Sequence, residues 1–127
     1  MRRQPLTQFE SIAVRKKGDV AIVELMHPRA VDPADVALLR KELSALVEDG
    51  RAAKLIINLH RVQFLPSAVI NVLVVMEKKA RQQGGGIRLC RLRPEIEEVL
   101  KITGLDKWFK LDVDEELALA AWGRQGS

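Results

Sequence analysis

The sequence is short of the residues that most often carry covalent, metal or stacking chemistry. Its 127 residues include one cysteine, two histidines and no tyrosine, and aromatics make up 4%. A single cysteine excludes an intramolecular disulfide and a thiolate metal site, and it fits a reducing compartment. His27 and His60 stand without Ser/His/Asp or metal-ligand spacing around them, so each reads as an ordinary loop histidine. Scarce aromatics leave almost no platform on which the bases of a single strand could stack. With 8 glycines and 5 prolines the chain is neither collagen-like nor low in complexity. Hydrophobic runs are short as well. The longest, Ala68 to Met76, is interrupted by Asn71 and falls far below the roughly 20 residues that cross a bilayer. Met1-Arg2-Arg3-Gln4-Pro5 is basic, but no apolar run follows it, so it does not read as a secretory signal. These absences point to a cytoplasmic protein with no metal site, no cofactor and no catalytic constellation.

What is present is a folding composition. At 47% hydrophobic and 30% charged, 127 residues fit one domain, since a domain typically takes roughly 100–150. Lys plus Arg number 21 against 17 Asp plus Glu, a net charge of +4. That balance is compatible with nucleic acid, an anionic surface or an acidic protein as partner. The basic residues are scattered, however: Arg15, Lys16 and Lys17, then Lys78, Lys79 and Arg81, then Arg88, Arg91 and Arg93. Without a recognition helix or stacking residues, solvated faces account for most of them, and nucleic acid is not the expected partner.

Periodicity gives the order of elements. Glu10 to Lys17 and Val20 to Met26, joined by Gly18-Asp19, read as a β-hairpin whose second strand is buried on both faces for much of its length. A helix follows from Pro33 or Ala34. Val36, Leu39, Leu43, Leu46 and Val47 form its apolar stripe, and Arg40, Lys41, Glu42, Glu48 and Asp49 its polar side. Asp32 suits its N-cap and Gly50 its stop. Lys54 to Leu59 is a short buried strand, and a second helix runs from Ser67 to about Gln83. Ile87 to Leu92 is the next strand, and Pro94 to Thr103 a third helix capped by Gly104. Leu111 to Val113 is a weak strand, and a last helix, capped by Asp114, runs through Trp122 before a frayed tail. The expected fold class is α/β: a single domain with a mixed sheet and helices packed against it, its core from about residue 9 to 122 of 1–127.

Several features invite chemistry and have plainer explanations. Cys90 sits mid-strand as a small buried thiol. Gly84-Gly85-Gly86 follows a helix and precedes a strand, the reverse of a phosphate-cradling loop, so it reads as a C-cap and flexible turn. Asp112, Asp114, Glu115 and Glu116 at a helix start are explained by capping and the helix dipole. The second helix is different, because its first turns are more apolar than one sheet face needs. Val69, Leu73, Met76 and Ala80 line up toward the sheet, with Ile70 and Val74 widening the stripe. Val72 and Val74 fit a deeply packed helix, whereas Asn71 and Val75 fall where a partner could dock. Ser67 has two explanations that share one geometry. It can cap the helix through its hydroxyl. Equally, a phosphate there would meet free N–H groups and the dipole, and would put a charge of about −2 on the rim of a docking surface.

The ordered combination resembles the STAS domain family, of the anti-sigma factor antagonist type. The resemblance runs from about Phe9 to Trp122. It rests on the element order, on LIINLHRVQFLPSAVINVL and on RPEIEEVLKITGLDKWFKLDVDEELAL, with Thr103-Gly104-Leu105, Phe109, Asp114-Glu115 and Ala118-Leu119 in their places. It implies a regulatory protein, not an enzyme, that acts by partner switching. Its partners would be an anti-sigma factor that is also a serine kinase, and a phosphatase. Ser67 matches the phosphorylated serine that opens the second helix, and Asp32 the acidic residue after the second strand. The implied docking face is Asp32, Pro66, Ser67, Ala68, Asn71 and Val75, on a monomer or weak dimer.

The chain departs from the family around that serine. Pro66 replaces the usual Asp, Ala68 and Val69 replace Ser and Gly, and Asn71 stands where a second Gly is common. Pro66 removes a carboxylate, and Val69 adds bulk where glycine would let a kinase approach. These departures suit an alternative: a degenerate, unphosphorylated STAS scaffold in a larger signalling or lipid-transport complex. Binding of nucleic acid or an anionic surface through the basic charge is a third option.

Overall fold

Gly18, at φ 61, turns the chain between the first two strands, a left-handed conformation that glycine adopts without strain. The computed structural model describes residues 9–30, 32–48 and 52–125. Strand β1 (Ile12–Lys17) pairs antiparallel with β2 (Val20–Leu25), and β3 (Lys54–Asn58), β4 (Gly86–Cys90) and β5 (Lys110–Asp112) follow in parallel. The sheet order is β1-β2-β3-β4-β5, the order of the chain. Four helices fill the connections and the end: α1 (Pro33–Glu48), α2 (Ser67–Gln82), α3 (Pro94–Ile102) and α4 (Glu115–Gln125). A short 3-10 turn, Leu105–Lys107, leads into β5.

Strand alternation divides the core. Val14, Val23, Ile57, Leu89 and Leu111 lie side by side across the five strands. Their face carries the main cluster, which takes in Leu39, Leu43, Leu46, Val69, Leu73, Met76, Ile96 and Leu100 from α1, α2 and α3. The residues one step along, Val20, Ile22, Ile56 and Cys90, face the other way and are covered by Ala118 and Trp122 of α4. Trp122 also donates its indole N–H to the Leu55 carbonyl at 3.1 Å, which settles the polar edge of a buried ring. Both faces of β2 are covered, which is why five of its six residues are buried.

Most expected elements are present, with instructive differences. Glu42 is not on the solvated side of α1 but buried. Its carboxylate accepts from the Glu10 and Ser11 N–H groups at 2.8 and 2.7 Å and from the Ser11 hydroxyl at 2.6 Å. Glu77 is likewise buried. It accepts from the Ile87 N–H at 2.6 Å and pairs with Arg81. The glycine turn is held in place rather than flexible. A Cβ on Gly85 would lie 1.9 Å from the Ala53 carbonyl oxygen, and the Gly86 N–H donates to that oxygen at 2.8 Å. Gly86 already belongs to β4, and β5 lies one residue earlier than its apolar pattern indicates. Helix α4 continues through Gly123, Arg124 and Gln125, where a frayed tail was expected. The expected stop at Gly50, and Gly126 and Ser127 of the tail, lie outside the described residues.

Candidate functional site

The link from β3 to α2 is tied down along its length, and that fixes where Ser67 emerges. The Asn58 side chain closes the strand end. Its oxygen accepts from the His60 N–H at 2.8 Å and its amide donates to Glu115 at 2.7 Å. The Leu59 N–H donates to the Cys90 carbonyl at 3.0 Å, which extends the ladder one residue past β3. Further on, the Gln63 and Phe64 N–H groups donate to the Pro28 carbonyl at 2.9 and 3.3 Å, joining this link to the loop after β2. Leu65 turns into the core, while Phe64 stays 44% exposed with the Arg29 guanidinium 5.2 Å from its ring centre.

Pro66, not Ser67, is the N-cap of α2. Its φ of −64° and ψ of 154° suit that position, and its carbonyl accepts from the Val69 and Ile70 N–H groups at 3.0 Å each. Proline has no side-chain acceptor, so the helix start carries no side-chain cap. Ser67 is thereby the first helical residue, and exposed. Among the described residues, neither its hydroxyl nor the N–H groups of Ser67 and Ala68 have a hydrogen-bond partner. The first turn also holds no acidic residue. The positive end of the helix dipole is therefore open to solvent and uncompensated.

Ala68, Asn71 and Val75 continue from Ser67 as one exposed stripe, at the spacing that shares a helix face. Val69 turns the opposite way, 2% exposed. Its bulk fills the core and does not obstruct approach to Ser67, contrary to the expectation from its place in the sequence. Val72 is also buried and Val74 half-buried. The stripe runs on to Lys78, whose ammonium lies 5.6 Å from the ring centre of Trp108. Exposed Phe64 and Trp108 thus flank a line of small and apolar side chains. Neither aromatic was singled out from the sequence. The signal was there, since large aromatics are rare in this chain and each of these follows a polar residue, Gln63 or Lys107.

Asp32 caps α1, as its position suggests: its Oδ1 accepts from the Ala34 N–H at 2.9 Å and its carbonyl from Asp35 and Val36. The Pro28 carbonyl joins its loop to the loop before Ser67, but among the described residues no hydrogen bond links Asp32 to Ser67. The acidic run at the start of α4 is engaged elsewhere. Asp112 holds Arg88 at 2.7 and 3.2 Å, Asp114 caps Leu117 at 2.9 Å, and Glu115 takes Arg15 at 2.6 Å as well as Asn58. Burial pushes the Glu115 carboxyl up, but the hydrogen bonds from Arg15 and Asn58 outweigh it and hold the group below its ordinary value. Among the described residues no group of three His, Cys, Asp or Glu is placed to hold a metal ion.

A protein of Bordetella bronchiseptica, carrying the provisional name anti-sigma factor antagonist BtrV, is 33% identical over 92 residues, 72% of this chain and 78% of that protein. The solved anti-sigma-factor antagonist (STAS) domain protein of Planctomyces limnophilus superimposes with a TM-score of 0.77 at 26% identity, covering 87% of this chain and 96% of that one. SpoIIAA of Bacillus in its phosphorylated form shares the fold, with a TM-score of 0.66 at 19% identity, covering 87% and 97%. The family model described as the STAS domain matches residues 11–118, and the chain belongs to that family.

Proposed function

We propose that this protein is an anti-sigma factor antagonist that works by partner switching, with Ser67 as its switch. The observation that carries the proposal is the state of Ser67: exposed, first in α2, its hydroxyl unengaged, at the head of an exposed stripe. A kinase needs a hydroxyl that no intramolecular bond holds back. The phosphate, once formed, meets the open N–H groups of Ser67 and Ala68, where the helix dipole favours an anion. The same dianion stands at the end of the proposed docking face of Asp32, Pro66, Ala68, Asn71 and Val75, and the exposed Phe64 ring supports extending that face. A partner that fits the neutral face must desolvate that charge, so phosphorylation releases it. Asp32, its carboxylate committed to the Ala34 N–H, caps α1. The protein acts by binding, without catalysis of its own. Its partners are an anti-sigma factor with serine-kinase activity and a phosphatase, and it acts in the cytoplasm, where a sigma factor works.

A specific observation favours a second reading, an unphosphorylated STAS scaffold in a larger complex. Pro66 removes the acceptor and carboxylate that usually precede the serine, while the stripe bounded by Phe64 and Trp108 remains complete. The two are told apart by capturing partners on the native chain, then adding ATP. Partner switching expects one phosphoryl group, placed on Ser67 by peptide mass analysis, and release of the partner. It also expects Ser67→Asp to weaken partner binding by at least roughly tenfold, about 1.4 kcal/mol, with Ser67→Ala unaffected. An unmodified Ser67 with a stable complex in ATP rejects the switch and leaves the scaffold.

A further inference from the structure

The carboxyl ends of β3, β4 and β5 leave an open cavity of about 450 Å³, lined by His60, Arg91, Leu92, Arg93, Val113 and Asp114. None of these belongs to the Ser67 face. β2 to β5 are parallel, so the residues that follow β3, β4 and β5 meet at one edge of the sheet.

The charge in this crevice is unbalanced. Arg15, Arg61, Arg81 and Arg88 each pair with a carboxylate, but among the described residues Arg91 and Arg93 have no ion-pair partner. The one carboxylate of the lining, Asp114, has an oxygen committed to the Leu117 N–H at 2.9 Å. Both oxygens of neighbouring Glu115 are taken, by Arg15 and Asn58. The lining thus sets two guanidiniums against one carboxylate, Asp114, while Glu115, which feels the Arg91 charge, is shared with Arg15, so positive charge is in excess.

The backbone supplies an independent observation. Arg91 is the one non-glycine among the described residues with positive φ, at 56°. Its N–H donates to the Val113 carbonyl at 3.3 Å, which holds the conformation. Glycine takes this region freely, whereas a long side chain there is strained, and such strain collects at binding sites. The lining also has an apolar part, half-buried Leu92 and exposed Val113.

We propose that this crevice binds a small organic dianion, a phosphate monoester or a dicarboxylate, with its charge on Arg91 and Arg93 and its apolar part on Leu92 and Val113. Guanidinium forks suit both head groups because each offers two oxygens in a plane. The site is separate from partner switching, and its failure leaves that function untouched.

The test is amide NMR titration of the whole chain at low ionic strength with phenyl phosphate, phthalate and inorganic phosphate. Saturable binding is expected, with shifts centred on residues 60, 91–93 and 113–114. The tighter of the two aromatic probes identifies the head group, and inorganic phosphate should bind more weakly than either. Arg91→Gly should lose at least roughly tenfold in affinity and melt at a higher temperature, because it removes the guanidinium and the strain together. Arg93→Gln should lose affinity at unchanged melting temperature, and Val113→Ser should bring phenyl phosphate down to the level of inorganic phosphate. No saturable binding of any probe, shifts scattered over the basic surface, or Arg91→Gly binding like wild type would each overturn the proposal. A lower melting temperature for Arg91→Gly would too, since the arginine would then serve the fold.

Discussion

Replacing Glu42 with alanine tests how the segment before β1 is fastened to α1. The carboxylate is 7% exposed and is the only acceptor found, among the described residues, for three donors: the Glu10 N–H, the Ser11 N–H and the Ser11 hydroxyl. Glu10 is exposed, so water can replace the carboxylate there. Ser11 is 2% exposed, and both of its donors would be stranded. A buried polar group left without a partner costs about 1–3 kcal/mol. Two such groups give roughly 2–6 kcal/mol, reduced because the variant no longer desolvates a carboxylate. A net loss of about 3 kcal/mol is the expectation, a large share of the roughly 5–15 kcal/mol that holds a typical domain. With a urea slope of about 1–3 kcal/mol per molar, the unfolding midpoint should fall by roughly 1–3 M at unchanged slope. Glu42→Gln keeps one carbonyl acceptor and should lose less. Glu48→Ala, on the same helix but in an exposed pair with Lys79, should leave the midpoint in place. If Glu42→Ala unfolds at the same urea concentration as Glu48→Ala, the reasoning fails.

Two further outcomes follow from buried and paired groups. Burial, reinforced by the Glu115 and Asp112 carboxylates, pushes the Cys90 thiol up to about 12, so iodoacetamide at mildly alkaline pH should label it only after denaturation. Fast labelling of the native chain would contradict its burial in β4 beneath α4. Glu115 sits below its ordinary value of 4.5 in the folded chain, so its stabilising effect is present above that value and fades as pH falls through the folded one. Glu115→Gln should therefore be less stable than wild type near neutral pH, with the difference closing in acid; a difference that persists in acid would refute the linkage.

The fold was legible where burial leaves a period. The α1 stripe from Val36 to Val47 and the line Val69, Leu73, Met76 and Ala80 are buried as their spacing requires. Asp32 and Asp114 cap because a short carboxylate before a helix reaches the free N–H groups. Glu42 and Glu77 were illegible for the opposite reason. A buried carboxylate is acceptable only when donors converge on it, and Glu10, Ser11 and Ile87 supply them from outside the helices concerned, where no helical period reveals them. Ser67 illustrates a one-residue limit: serine is a good cap, but Pro66 already has the extended backbone and free carbonyl that the cap position needs. Arg91 left no trace at all, because a left-handed arginine looks like any other arginine in a sequence.

The strand order β1-β2-β3-β4-β5, identical to the order of synthesis, has a consequence in time. Each new strand meets an edge that has already left the ribosome, so the sheet can grow by addition without waiting for distant partners. The α2 face is assembled once β4 has docked and Trp108 has followed it. The opposite side of the sheet must wait for the last helix, since Ile22, Ile56 and Cys90 are covered only when Ala118 and Trp122 arrive. A nascent chain therefore shows its partners a finished α2 surface while its back is still bare. Quality control acting on exposed apolar surface would sense whether α4 has closed, and not whether the regulatory face is ready.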